Sequence, residues 1–140
     1  MYYLGIDLGS SSIKIALIDS ITGKSIAVLQ EPEEEMLMYA PQIGWAEQDP
    51  DTWWKHVCNG ISRLKREHDF SEDEIRGIGI AYQMHGLVLV DKSGEVLRNA
   101  IIWCDSRAVD TGNLAYKNLG TQYCDEHLLN SPANFTASKL

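Results

Sequence analysis

Positive charge is scarce in this sequence of 140 residues, which has 12 lysines and arginines against 20 aspartates and glutamates and a net charge of −8. Nucleic acids and anionic membrane surfaces carry dense negative charge, and the proteins that bind them present clustered basic side chains. We therefore expect no nucleic acid and no membrane among the partners of this protein.

Cysteine is also scarce, and the three that are present, Cys58, Cys104 and Cys124, are widely spaced. An odd number of cysteines without a Cys-x-x-Cys pair predicts neither a disulfide framework nor a structural zinc site. The chain has no apolar run of the roughly 20 residues that a membrane-spanning helix needs. Its first apolar stretch has no basic residue before it and is interrupted by Asp7, unlike a secretory signal peptide. These absences predict a cytoplasmic protein.

Three short strands are predicted within the first part of the chain, over residues 2–7, 13–19 and 25–30. Apolar and other residues alternate in the second strand, and glycines at positions 9 and 23 mark the breaks between strands. Parallel neighbours would need a crossover of about a dozen residues, so these short connections predict an antiparallel meander.

A helix is predicted to follow the segment Asp49-Pro50, because proline fits the first helical position and an acidic side chain before it favours the helix start. Its apolar residues recur at helical spacing, which predicts one face packed on the sheet. These residues are Trp53, Val57, Ile61 and Leu64.

The rest of the chain predicts a strand over 75–82 and a hairpin with strands over 87–90 and 96–103. Helices are predicted over 107–119 and 123–128. Residues 135–140 are typical of a first helical turn capped by Thr136, which predicts that the lobe continues beyond them.

The order of elements predicts an α/β fold: a ribonuclease-H-like or actin-like ATPase lobe with a mixed sheet and flanking helices. The mixed sheet would combine the antiparallel three-strand meander with further strands. The length is that of one domain, so we expect a single lobe over residues 1–140.

The turn after the first strand has the composition of a phosphate site. Asp7 at the end of an apolar strand can hold hydrated Mg²⁺, and Gly9 allows a turn sharp enough to aim backbone N–H groups at a phosphate. Further donors are the hydroxyls of Ser10, Ser11 and Ser12 and the ammonium of Lys14. Positioning and charge neutralisation are most of what phosphoryl transfer requires. The alternative is a glycine-serine hairpin beside an exposed aspartate.

Two later segments have side chains suited to a sugar. Met84 and His85 directly follow a predicted strand, where a histidine can bind hydroxyls and a methionine can form an adaptable apolar wall. Trp103 can lie against a sugar ring, and Asp105 can bind its hydroxyls. The alternatives are a structural histidine in a tight turn, and a core tryptophan followed by an aspartate that caps a helix.

Taken in order, four segments resemble the N-terminal lobe of the FGGY carbohydrate kinases over essentially the whole chain. They are Gly-Ile-Asp-x-Gly-Ser at 5–10, Trp-x-Glu-Gln-Asp-Pro at 45–50, Gln-Met-His-Gly at 83–86 and Ile-Trp-x-Asp-x-Arg at 102–107. The first is shared across that family, whereas the last two resemble its xylulose kinases. Glycerol kinases instead have an Arg-Glu pair where this chain has Met84 and His85.

The resemblance implies an ATP-dependent kinase acting on D-xylulose, with ATP and Mg²⁺ as cofactors. It implies that Asp7 lies near Mg²⁺, and that the Gly9 turn, the serines 10–12 and Lys14 lie at the phosphates. Met84 and His85, with Trp103 and Asp105, would contact the sugar. The general-base aspartate and the adenine pocket would belong to a C-terminal lobe.

The chain alone is therefore expected to be inactive and to self-associate through the face that its own C-terminal lobe would cover. Three alternatives stay open. The first is a kinase for gluconate, ribulose or another polyol. The second is a ribonuclease-H-like nuclease, which would need clustered carboxylates and two metals. The third is a non-catalytic actin-like binding module.

Overall fold

The computed structural model describes residues 1–140, which form two compact units. The first unit comprises Met1–Leu37 and Asp51–Gln83, and the second comprises Met38–Pro50 and Met84–Leu140. The residues predicted at the phosphates belong to the first unit, and those predicted at the sugar belong to the second.

The strands are β1 (Tyr2–Leu8), β2 (Ile13–Asp19), β3 (Ser25–Glu31), β4 (Glu47–Gln48), β5 (Ile75–Tyr82) and β6 (Ala100–Ile101). The α-helices are α1 (Pro50–His68), α2 (Val109–Leu119), α3 (Thr121–His127) and α4 (Thr136–Lys139). Two short 3-10 helices, Glu72–Glu74 and Pro132–Asn134, complete the elements. No helix has both the length and the apolar character that crossing a bilayer requires.

The first unit is built on a four-stranded mixed sheet in the order β3-β2-β1-β5. Strands β1, β2 and β3 are antiparallel neighbours, which confirms the predicted meander, and β5 lies parallel to β1. The register places Asp7 of β1 opposite Lys14 of β2 and opposite Ala81 of β5.

Helix α1 covers one face of this sheet, as its apolar spacing predicted. Val57 and Leu64 are buried in the same core as the apolar residues of β1, β2 and β3, with Trp53 and Ile61 packed against it. The helix comes close to the strands at Gly60, where a Cβ would lie 2.6 Å from Cδ1 of Ile15. A larger residue there would force the Ile15 side chain or the helix to shift.

Strand β5 has the predicted bounds and forms the edge of the sheet. Its apolar side chains stay exposed: Ile78 at 59%, Ile80 at 64% and Tyr82 at 71% of their surface. Alternate residues of a strand share one face, so this exposure means that the elements of the first unit leave that face of β5 largely uncovered.

The second unit contains a smaller pairing than the predicted hairpin. Residues Leu87 and Ile101 pair, as do Val90 and Val96, but only as isolated bridges, so the prediction of strands over 87–90 and 96–103 was wrong. Only the two residues of β6 form a strand, and they pair with β4. Beyond them the chain turns, and the Asp105 N–H donates to the Ile102 carbonyl oxygen at 3.2 Å.

The helices of the second unit begin and end within about two residues of their predicted bounds. Helix α4 begins at Thr136, but the residue at its N-cap is Phe135, so the predicted threonine cap was wrong. The Thr136 hydroxyl instead donates to the Gly86 carbonyl oxygen at 3.1 Å.

Candidate functional site

The β1–β2 turn is tight, and Gly9 makes it possible. The Gly9 N–H donates to the Ser12 carbonyl oxygen at 3.2 Å. A Cβ on residue 9 would lie 2.9 Å from that same oxygen, so a larger residue would clash with backbone. Ser10 is half-buried, Ser11 is exposed and Ser12 is buried, with the Lys14 ammonium donating to the Ser12 hydroxyl oxygen at 3.5 Å.

Asp7 is exposed at the carboxyl end of β1 and alternates with the buried Leu4 and Ile6, which pack into the core. A surface depression of about 450 Å³ lies beside it, lined by Gly5, Ile6, Asp7, Lys14, Ala16, Gly79, Ile80 and Ala81. Four of these eight residues are glycine or alanine. The sheet is therefore left open beside a carboxylate and an ammonium, which leaves room for a ligand.

Asp7 is the carboxylate that the β1–β2 turn places beside this depression. No group of three or more His, Cys, Asp or Glu side chains in residues 1–140 is close enough to hold a metal ion. Magnesium commonly binds through one or two carboxylates together with substrate phosphates and water, so Asp7 fits a metal that arrives with a nucleotide. A two-metal nuclease site would need the clustered carboxylates that these residues do not form.

In the second unit, Met84 and His85 follow β5. The Met84 side chain is 64% exposed. The half-buried His85 has a left-handed backbone with φ of 64°, and its ring stacks on Phe135 with centroids 4.7 Å apart and planes at 11°. The His85 carbonyl oxygen accepts a hydrogen bond from the Lys139 ammonium at 2.7 Å.

The turn that carries Trp103 lies close to the His85 backbone, because the same Lys139 ammonium donates to the Ile102 carbonyl oxygen at 3.2 Å. Trp103 is 49% exposed, and its carbonyl oxygen accepts a hydrogen bond from the Asn134 side chain. The structure thus brings the backbones of two predicted sugar segments to one ammonium group.

Asp105, the fourth residue predicted at the sugar, is completely buried. Its carboxylate accepts hydrogen bonds from the Ala46 N–H at 2.6 Å and from the Arg107 N–H and Nε at 2.9 Å each. Burial by itself raises the pKa of the Asp105 carboxyl, but the hydrogen bonds from the Arg107 side chain and the two backbone N–H groups outweigh it and hold the pKa below its usual value. The carboxylate thus ties the turn to neighbouring backbone and presents no surface to a ligand.

Arg107 extends this buried network. Its Nη2 donates to Glu47 Oε1 at 2.7 Å, and its guanidinium lies 3.6 Å from the centre of the Trp45 ring. The Arg98 guanidinium also pairs with Glu47. Burial opposes charge on Arg107, but hydrogen bonds to Asp105 and Glu47 more than compensate and raise its pKa. The segment from Trp45 to Glu47 therefore supports the Asp105 turn from inside the unit.

The contacts of Lys139 were not predicted from the sequence. Residues 135–140 were interpreted only as a helix start, whereas the Lys139 ammonium reaches carbonyl groups 54 and 37 positions earlier in the chain. No local pattern encodes contacts at such separations. An isolated lysine next to apolar residues gave no periodic signal that could have identified it.

Comparison with known proteins places this chain. The model of the FGGY family of carbohydrate kinases, N-terminal domain, matches residues 2–140. A xylulose kinase from Klebsiella pneumoniae is 38% identical over 138 residues, which cover 99% of this chain and 27% of that protein. The chain spans between 20% and 29% of the length of such curated relatives.

Solved structures agree with this placement. A xyloylose kinase from Brucella ovis superposes with a TM-score of 0.86 and 33% identity, covering 99% of this chain and 28% of that one. A gluconate kinase from Lactobacillus acidophilus superposes with a TM-score of 0.78 and 27% identity, covering 94% of this chain and 26% of that one. The predicted actin-like α/β fold is confirmed, and the chain belongs to the FGGY family of carbohydrate kinases, whose N-terminal domain it carries.

Proposed function

We propose that this chain is the N-terminal lobe of an ATP-dependent sugar kinase whose substrate is D-xylulose. The reaction breaks the bond from the γ-phosphorus to the bridging oxygen of ATP and forms a bond to a sugar hydroxyl oxygen, giving ADP, a sugar phosphate and a proton. The observation that carries the proposal is the Gly9 turn, which has an exposed carboxylate, an ammonium and an open depression beside it.

Asp7 would hold Mg²⁺, and Gly9, Ser10, Ser11, Ser12 and Lys14 would hold the phosphates of ATP. Bound Mg²⁺ neutralises the charge of the transferring phosphate. The Lys14 ammonium adds positive charge from the neighbouring strand, where it lies opposite Asp7 in the register. The exposed Ser11 hydroxyl and the backbone of the turn supply hydrogen-bond donors to phosphate oxygens.

On the sugar side we assign direct contacts to Met84, His85 and Trp103. Met84 is 64% exposed and Trp103 49% exposed, so both offer surface to a ring or a carbon chain. We assign Asp105 to holding the Trp103 turn in place rather than to the sugar itself, because its carboxylate is buried and fully engaged. This revises the role that the sequence suggested for Asp105.

The rest of the active site would belong to a C-terminal lobe, because curated relatives are several times longer than this chain. There we place the aspartate that takes the proton from the sugar hydroxyl and the pocket that binds adenine. Cys58, Cys104 and Cys124 are all free thiols, which supports our assignment of the enzyme to the reducing cytoplasm.

Gluconate is the second candidate substrate, because a gluconate kinase superposes on 94% of this chain at 27% identity. The two candidates differ in charge, since gluconate carries a carboxylate and xylulose is neutral. A site for gluconate needs a cation beside Met84 and His85, whereas a site for xylulose does not.

The test is a coupled assay of ADP release by the complete gene product that contains residues 1–140. Wild-type protein is given D-xylulose, L-xylulose, D-ribulose, D-gluconate or glycerol with Mg-ATP. We expect the highest kcat/KM with D-xylulose. A higher kcat/KM with gluconate would transfer the assignment to that substrate. If none of the five compounds gives ADP release above the rate without sugar, the kinase proposal is refuted.

A further inference from the structure

One short stretch of the second unit, residues 134–139, contacts the backbone of both segments to which we assign the sugar. We call it the support segment. Four of its side chains contact residues 85, 86, 102 and 103. These side chains are those of Asn134, Phe135, Thr136 and Lys139. Four of these contacts are hydrogen bonds from side-chain donors to backbone carbonyl oxygens, and the fifth is the stacking of Phe135 on His85. The segment is therefore placed to determine where those carbonyl groups lie.

Lys139 makes the strongest of these contacts. Only 9% of the residue is exposed, and its ammonium donates to His85 and Ile102 carbonyl oxygens at 2.7 and 3.2 Å. A buried ammonium is unfavourable unless its protons are donated. Burial lowers the pKa of Lys139, while the charge of Asp105 acts in the opposite direction. The two carbonyl groups thus satisfy a charge that would otherwise oppose folding.

The backbone at His85 also needs outside support. Its φ of 64° is in the left-handed region, which residues with a Cβ rarely adopt without stabilising contacts. The Lys139 bond to the His85 oxygen, the Phe135 ring against the imidazole and the Thr136 bond to the Gly86 oxygen all fall at this point. Together they hold a residue whose left-handed backbone conformation is unfavourable by itself.

We propose that Lys139 is a positioning residue for the sugar site. By donating to both carbonyl groups, its ammonium fixes the separation of the His85 and Ile102 backbones and so sets where Met84, His85 and Trp103 present their side chains. This inference rests on the proposed function for its effect on catalysis, but the effect on the two backbone segments does not depend on it.

The experiment compares the complete gene product with two variants. Lys139→Met removes the donors at similar length, and Lys92→Met removes the same charge from an exposed turn of the same unit. We expect Lys139→Met to raise KM for the sugar about tenfold or more, because small displacements of binding groups are costly. We expect Lys92→Met to behave like wild type.

KM for ATP should change by less than about twofold in Lys139→Met, because the phosphate turn belongs to the other unit. Hydrogen–deuterium exchange supplies a second measurement, in which the amides of residues 84–87 and 102–104 should exchange faster in Lys139→Met than in Lys92→Met. A merely structural lysine would raise exchange throughout the unit and affect both KM values.

An unchanged KM for the sugar in folded Lys139→Met, or an equal rise in both KM values without local exchange changes, would overturn the proposal. If Lys139→Met does not fold, Lys139→Gln replaces it, because its amide can still donate a hydrogen bond in a similar space. Lys139→Gln should also raise KM for the sugar while leaving KM for ATP nearly unchanged. If wild-type protein phosphorylates no sugar, the proposed function fails. The exchange comparison alone then decides whether Lys139 positions the two segments.

Discussion

The individual side chains of the candidate site differ in how firmly their surroundings fix them. Asp105 has no exposed surface and accepts several hydrogen bonds. Asp7 is exposed, and its backbone lies opposite that of Lys14 in the sheet. A buried and satisfied carboxylate contributes to stability, while an exposed one at a strand end remains available to a ligand. Substitutions at the two residues should therefore have separable consequences.

Asp105→Asn tests the stabilising role. We expect it to lower the free energy of unfolding of the chain by about 3 kcal/mol at pH 7, because it removes one of the two carboxylate partners of Arg107 in a buried place and leaves only Glu47. Urea unfolding followed by circular dichroism measures the change. Asp110→Asn, on an exposed position of α2, is the control and should cost no more than about 0.5 kcal/mol.

The pH dependence of that difference has a defined sign. The pKa of Asp105 is lowered in the folded chain, so its stabilising contribution is complete above the unfolded value of about 3.9. The contribution is lost as pH falls through the lower folded-state pKa. The difference in free energy of unfolding between wild type and Asp105→Asn should therefore narrow below about pH 4. A difference that stays constant down to pH 2 would contradict the stabilising role of the Asp105 carboxylate.

His85→Ala tests direct contact with the sugar. In the complete gene product it should raise KM for the sugar about threefold to tenfold with little change in KM for ATP, because it removes a hydrogen bond to a neutral ligand. His127→Ala is a matched control, since His127 stacks on Tyr123 at 4.2 Å much as His85 stacks on Phe135. Equal losses for both substrates would instead favour a structural histidine.

At the scale of the elements, the helix–helix contact at Gly112 is the tightest in the second unit. A Cβ on this residue of α2 would lie 2.2 Å from the Ala133 Cα and 2.6 Å from the Pro132 carbonyl oxygen. Both atoms are backbone, so they have little freedom to move aside. Glycine at this position weakens α2 by itself but lets it pack on residues 132–133.

Gly112→Ala should consequently destabilise the chain by about 1–3 kcal/mol, although alanine is the better helix former. Asn113→Ala, at the adjacent exposed position of α2, should stabilise the chain slightly, because alanine favours the helix and no packing is disturbed there. Thermal unfolding of both variants measures the difference. A Gly112→Ala variant that melts above wild type would show that the contact is looser than described.

Elements with a strong local pattern were predictable, and those defined by distant partners were not. Strand β2 and helix α1 each carry apolar residues at one clear period, and both were predicted with the face that they bury. The two residues of β4 are too few to show a period, and β6 is defined by pairing with residues more than 50 positions earlier. The hairpin strands were overpredicted because alternating valines and leucines at 88, 90 and 97 are exposed in the structure.

The candidate site followed the same division. The Gly9 turn was predictable because glycine, serine and aspartate act there through their own backbone and immediate neighbours. The burial of Asp105 was not, since it depends on Ala46, which lies 59 positions earlier in the chain. Lys139 was missed for the same reason. A sequence pattern therefore predicted the segments of the candidate site, but not the contacts that hold those segments in place.

At the scale of the whole molecule, the first unit leaves one edge of its sheet uncovered. The exposed apolar side chains of β5 lie beside an apolar groove of about 490 Å³ whose lining includes Leu4, Phe70 and Ile75. Surfaces of this kind usually bind another part of the protein or a second copy. We expect the remainder of the complete gene product to cover this edge.

The isolated chain of 140 residues should consequently fold, self-associate and release no ADP in the presence of D-xylulose. Folding is expected because the sheet and α1 enclose a core of their own. Inactivity is expected because the proposed transfer needs both substrates held between this lobe and a C-terminal lobe. Light scattering measures the association, and a strictly monomeric chain at high concentration would contradict that part of the prediction. Sugar-dependent ADP release by the purified chain would contradict the two-lobe account.

The central claim is that the Gly9 turn and Asp7 hold the magnesium nucleotide for transfer to a sugar. Its most direct test is the steady-state rate of ADP release by the complete gene product with D-xylulose and Mg-ATP. Wild type is compared with Asp7→Asn and with Asp69→Asn, which alters an exposed aspartate of the same unit. We predict that Asp7→Asn lowers kcat by about a hundredfold or more while the protein stays folded, since loss of a metal ligand removes several kcal/mol of transition-state stabilisation. Asp69→Asn should keep the wild-type kcat. A folded Asp7→Asn variant that turns over at the wild-type rate would contradict the account.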